Sequence, residues 1–183
     1  MTIRNFLIAA ALAVTGVATP ALAADVATLP CVRQELSTET LDAIRDTARR
    51  SAEGEMGVRP SEETRDALMA AAGRCAAKYG WTADEAQYAG LYTLAELRLA
   101  AMEPIAKRRG VDLAKIRIAV GEMTQDERGL LRKGDRQGSV ALLRELTALG
   151  VTVPEEFATA QLYGRLATIL LVLEEFRNSF AGN

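Results

Sequence analysis

Four times the chain writes a helix start in one format: a residue able to staple, a hydroxyl residue able to cap, then an acid or hydroxyl at the end of the first turn. The four are Leu36-Ser37-Thr38-Glu39-Thr40, Pro60-Ser61-Glu62-Glu63-Thr64, Trp81-Thr82-Ala83-Asp84-Glu85 and Met123-Thr124-Gln125-Asp126-Glu127. A Ser or Thr side-chain oxygen satisfies one of the free N–H groups that open a helix, and a Glu three positions on answers the cap's own N–H. Between these starts the apolar residues recur at offsets of three and four. No run alternates apolar and polar between turn residues, as a half-buried strand does. The pattern predicts an all-α single domain of about six or seven helices, irregular or bundle-like, with one disulfide.

Ser37 opens the first predicted helix, with Leu41, Ile44 and Ala48 on one stripe, and Gly54, Gly57 and Pro60 close it. The second runs from Ser61 to Gly80; Leu68, Ala71, Ala72, Cys75 and Tyr79 share a stripe, so Cys75 faces the core. Thr82 starts a long helix to about Met102. Pro104 has no N–H to donate and is expected to kink or restart it before Lys107, Arg108, Arg109 and the stop at Gly110. Asp112 caps a short helix to Val120, and Thr124 opens another to Lys133. Gly134 and Gly138 then frame a loop before Ser139 caps the next helix, and Thr152, Pro154 and Glu155 open the last. That final helix holds the most apolar run, Leu166 to Leu173. It is too short to cross a bilayer, which takes about 20 residues, and is expected at the centre with other helices around it.

Residues 1–23 carry Arg4, an apolar stretch from Phe6 to Val17, Pro20 and the triplet Ala21-Leu22-Ala23. This is the layout of a secretory signal peptide cleaved before Ala24, leaving 24–183 as an all-helical mature domain, periplasmic or secreted. In an oxidising compartment the only two cysteines, Cys31 and Cys75, are expected to form one disulfide that lashes the N-terminal arm over the core. Two separate buried thiols are the alternative. The pair lacks the Cys-x-x-Cys spacing of a redox enzyme.

There is no histidine. That removes Ser-His-Asp and Cys-His catalysis and every His-bearing zinc site, so no catalytic residue, metal or cofactor is assigned. Charge is uneven: Lys107 to Arg144 sums to +5, against −8 for the rest of the mature chain. Lys107, Arg108, Arg109, Arg132, Lys133, Arg136 and Ser139 are therefore the candidate anion- or partner-binding residues, the last four lying where a glycine loop is read as entering a helix N-terminus. Solvated helix faces and ends account for the same charges. An envelope protein or an anionic membrane surface fits such a field; nucleic acid does not, because the mature chain is net −3 and exported.

Trp81, Tyr88 and Tyr92 lie on or beside a helical stripe and form a candidate apolar pocket, with core packing as the competing role and Arg98 as a possible partner for their hydroxyls. Glu122, Asp126, Glu127, Glu174 and Glu175 are the clustered carboxylates that histidine-free glycoside hydrolysis would draw on, although acids in a first turn also answer the helix dipole. Met123-Thr124-Gln125-Asp126-Glu127 resembles the Leu-Thr-x-x-Gln signature of periplasmic helical stress chaperones over five residues and departs at Glu127; no family is assigned. The leading expectation is an exported, non-catalytic binding, adaptor or chaperone-like module for an envelope partner. A carboxylate-dependent hydrolase of envelope polysaccharide and a carrier of a small apolar ligand are the alternatives, and oligomeric state stays open.

Overall fold

Capped starts and glycine stops divide residues 24–154 and 156–182, those that the computed structural model describes, into eight α-helices with no strand among them. Residues 1–23, read as a secretory signal, lie outside the described residues. After a single 3-10 turn at Val26–Thr28 come α1 (Pro30–Gln34), α2 (Thr38–Ala52), α3 (Glu62–Tyr79), α4 (Ala83–Arg108), α5 (Leu113–Glu122), α6 (Gln125–Arg132), α7 (Arg136–Ala148) and α8 (Phe157–Phe180). The helix beyond the expected count is α1, only five residues long. All four starts of shared format cap as read: Ser37 and Ser61 accept from Thr40 and Thr64 N–H, and Thr82 and Thr124 form full capping boxes with Glu85 and Glu127.

Three boundaries differ from the sequence expectation, each for a physical reason. Helix α4 neither stops nor restarts at Pro104. Proline deprives the Ala100 carbonyl of its donor, but Ala100 and Pro104 both face solvent, where water can take that role. Gly138 and Ser139 do not precede α7 but lie inside it; Asp135 is the cap, accepting from Gln137 N–H at 2.7 Å. Finally, α8 begins at Phe157, not at Thr152. Helix α7 closes with Gly150 at φ +71° and with Val151 N–H donating to Leu146 C=O at 2.9 Å, which turns the chain out into an extended segment. Val151 and Val153, two apart and so on one face of extended chain, pack on the core. Glu155 lies outside the described residues.

The two longest helices, α4 and α8, pack against each other and carry the interior. Leu162, Leu166, Ala167, Ile169, Leu170 and Leu171 of α8 are buried against Ala95, Met102, Ile105 and Ala106 of α4, with α5, α6 and α7 closing that side. The run Leu166 to Leu173 is thus central. The other end of α4 packs with α1 and α3 around Leu68, Ala72, Leu97 and Trp81, and Phe180 from the end of α8 meets the Trp81 ring edge-on at 5.0 Å. Cys31 and Cys75 are bonded, Cα atoms 6.0 Å apart, tying α1 to α3 inside this second cluster.

Helices α6 and α7 come close together at Gly138. A Cβ added there would lie under 3.0 Å from the backbone of Leu130 and Leu131, atoms that cannot rotate away. The glycine is therefore required by helix-to-helix approach rather than by a turn.

Two outcomes follow for stability. Closing 44 residues of chain restricts the unfolded state, so Cys31→Ser/Cys75→Ser should lose about 4 kcal/mol in urea unfolding; an unmoved midpoint would refute this. Gly138→Ala should lose about 1–3 kcal/mol or more by overpacking, despite alanine's better helix propensity. The control is Gly121→Ala, where the new methyl meets open space; it should be neutral or gain up to about 1 kcal/mol.

Candidate functional site

Where α4 and α8 run side by side, their outer faces and the α6–α7 turn leave a groove of about 590 Å³. Leu91, Leu94, Ala95 and Arg98 of α4 form one wall, and Gln161, Gly164, Arg165, Thr168, Ile169, Val172 and Phe176 of α8 the other. These are positions on single helical faces at offsets of three and four, so each wall is fixed by the helix rather than by a mobile loop. Leu131, Gly134 and Ser139 complete the lining. Arg98 lies near Arg165, while Tyr88, ten residues before Arg98, stacks on Phe176 with ring centroids 6.2 Å apart. The helices are therefore antiparallel, and the groove has a guanidinium end and an apolar end. Burial pushes the Arg98 guanidinium below its ordinary pKa, and the nearby Arg165 charge adds to this; burial alone lowers Arg165. Arg165 donates to Gln161 Oε1 at 3.0 Å. Among the described residues neither arginine meets a carboxylate.

The aromatic candidates are not at this lining. Trp81 is buried between Tyr79 and Phe180. Tyr88 backs the groove only through Phe176, and Tyr92 lines a separate depression of about 780 Å³ with Glu96, Glu103, Glu174, Arg117 and Arg177. Arg98 makes no hydrogen bond to either tyrosine.

The basic candidates divide into two groups that the fold does not bring together. Arg109 reaches across to the Ala52 carbonyl at the end of α2, at 3.2 Å. Arg132 pairs with Glu175 of α8. Lys107 and Arg108 sit exposed at the end of α4, and Lys133 and Arg136 flank the α6–α7 turn. Ser139, inside α7, donates to the Asp135 carbonyl at 3.3 Å and lines the groove instead of capping a helix.

No protein family, curated protein or solved structure matches the chain.

Of the clustered carboxylates, Glu127 is committed twice. It accepts from the N–H and hydroxyl of Thr124 and pairs with Arg144 Nη1 at 2.8 Å. Those partners, Arg144 foremost, hold its pKa at about 2 against an ordinary 4.5. Such an acid stays ionised, the reverse of the proton-holding carboxyl that glycoside hydrolysis needs. Glu175 is engaged by Arg132, and Glu174 lines shallow depressions. No three metal-ligating side chains cluster among the described residues.

The lowered Glu127 pKa stabilises the fold fully above pH 4.5, and this contribution is lost as pH falls towards about 2. Glu127→Gln should therefore melt at a lower temperature than the native chain at neutral pH, with the gap shrinking through that window. Thermal melts of both proteins against pH give the measurement, and a gap independent of pH would exclude the assignment.

Proposed function

We propose that the chain is an exported, non-catalytic binding module that carries an apolar ligand in the groove between α4 and α8. The groove carries this reading: its 590 Å³ lies within the range of roughly 300–1,000 Å³ typical of small-molecule sites, and its walls are mostly apolar with few polar groups. Both walls belong to the longest helices, so the site is preformed. The cystine between Cys31 and Cys75 supports an oxidising compartment, in keeping with the N-terminal segment, and no described helix is long and apolar enough to cross a membrane. Catalysis finds less support, since histidine is absent and Glu127 and Glu175 are held by arginines.

A second reading, docking on an anionic membrane face or acidic envelope protein, is favoured by Lys107, Arg108, Lys133 and Arg136. They are exposed and meet no carboxylate among the described residues. The groove and these cations are compatible on one molecule.

Gly164 separates the carrier reading from a merely structural groove. It lies in the interior of α8, lines the groove, and a Cβ built on it meets nothing within 4 Å. Gly164→Leu should fill the groove while leaving the fold as stable as before or slightly more so. Titration with the neutral dye Nile red should saturate on the native protein, and the variant should bind it about tenfold more weakly at an unchanged urea midpoint. Equal binding by the two proteins would show that the dye sits elsewhere and would count against the groove.

A further inference from the structure

Of the half-buried arginines, Arg45, Arg109 and Arg128 each meet a carboxylate or backbone carbonyls, while the described arginines elsewhere that lack a partner are exposed to water. Arg98 and Arg165 are the contrast: both are half-buried, they lie close enough for one charge to weigh on the other, and the only side-chain acceptor engaged is the neutral Gln161 oxygen. Two like charges half-buried in one largely apolar groove cost free energy, and no carboxylate among the described residues offsets it. An anion placed between them would do so. The guanidinium fork fits a carboxylate with two parallel hydrogen bonds, and partial exclusion of water strengthens them.

From Arg165 to Phe176 the groove follows α8 for eleven residues, about 16 Å at the helical rise. Its lining changes along that path from Arg98, Arg165 and Gln161 to Leu91, Leu94, Val172 and Phe176, with Thr168 and Ile169 between. Resting on the carrier reading, we propose that Arg98 and Arg165 are the head-group site of this groove and that its occupant is a single-chain fatty carboxylate. A tail of about a dozen carbons matches the length, taking bonds of roughly 1.5 Å shortened by their zigzag. The carboxylate lies between the guanidiniums and the tail runs towards Phe176, which Tyr88 supports from behind.

Isothermal titration calorimetry of the disulfide-bonded protein with dodecanoate and with dodecanol, which share a tail and differ in charge, tests the head-group assignment. Dodecanoate should bind one to one and about tenfold or more tighter than dodecanol, because hydrogen bonds to a charged group are worth that much. In Arg98→Met/Arg165→Met, whose side chains keep their apolar stems, the two ligands should bind alike at the dodecanol affinity. Should that variant not fold, Arg165→Gln alone should narrow the difference. If the native protein binds both equally, the arginines merely reach for water and the head-group assignment fails while the carrier reading stands. If neither binds, both fail. Displacement of bound dodecanoate by an acidic amphipathic peptide at lower concentration than by free dodecanoate would overturn the assignment in favour of a protein partner, and dissociation of a self-dimer on adding dodecanoate would overturn it in favour of a second copy.

Discussion

Two helices of 26 and 24 residues, each some 36–39 Å long, lie antiparallel, and the remaining helices can only cover the flanks that this pair leaves open. The central run of α8 is apolar on most sides and so needs neighbours on most sides. Helix α4 supplies one, α5 and α6 supply others, and α4 in turn is covered by α2 and α3. The cover is incomplete on two sides of the α4–α8 pair, at the depression beside Tyr92 and at the groove, where α6 and α7 turn at Gly134 and approach each other at Gly138. The close approach of α6 and α7 at Gly138 thus borders the groove. A larger residue at Gly138 would push the α6–α7 pair outward and reshape the site without touching it.

Three of the ten cations between Lys107 and Arg144 close helix ends. The last carbonyls of a helix have no partner within it, and the dipole makes that end negative. Arg109 donates to Ala52 C=O at the end of α2, Lys115 to Leu149 C=O at the end of α7, and Arg128 to the Gly121 and Met123 carbonyls at the end of α5. A net charge summed along the sequence registers these cations as a field, whereas in the fold each is spent locally. Only Lys107, Arg108, Lys133 and Arg136 of the candidate set remain uncommitted at the surface.

Local chemistry was legible in the sequence, and contact between distant segments was not. The hydroxyl caps at Ser37, Ser61, Thr82 and Thr124 act through hydrogen bonds within four residues, so their positions could be read directly. Cys75 could be placed in the core from its stripe, and with only two cysteines the pairing followed. Gly138 and Thr152 each carried a turn or cap signal that tertiary contact overrode: close approach of α6 claims the first, and the packing of Val151 and Val153 draws the second into extended chain. The stripe through Tyr88 and Tyr92 takes in Leu91 and Ala95 of the groove wall, whereas Leu94 and Arg98, the other two residues of α4 that line it, lie off that stripe. The available signal was Arg98 among apolar neighbours and Arg165 directly before Leu166-Ala167-Thr168-Ile169, two cations in the most apolar parts of the two longest helices.

Acidic residues adjoin the apolar end of the groove along α8, yet none lines it. Glu174 and Glu175 lie beside Phe176 on α8, but Glu175 turns away to Arg132 on α6, and Glu127 is held by Arg144 and the Thr124 cap. Both acids thus stabilise the joints of α6 with α7 and α8, and both are removed from the guanidinium end. A carboxylate in place of Gln161 would neutralise Arg165 one helical turn away, at the i,i+4 spacing that favours such a pair. Glutamine there orients Arg165 through its oxygen without cancelling the charge. A groove meant only to be covered by solvent gains nothing from that choice, whereas one that receives an anion keeps its attraction at full strength.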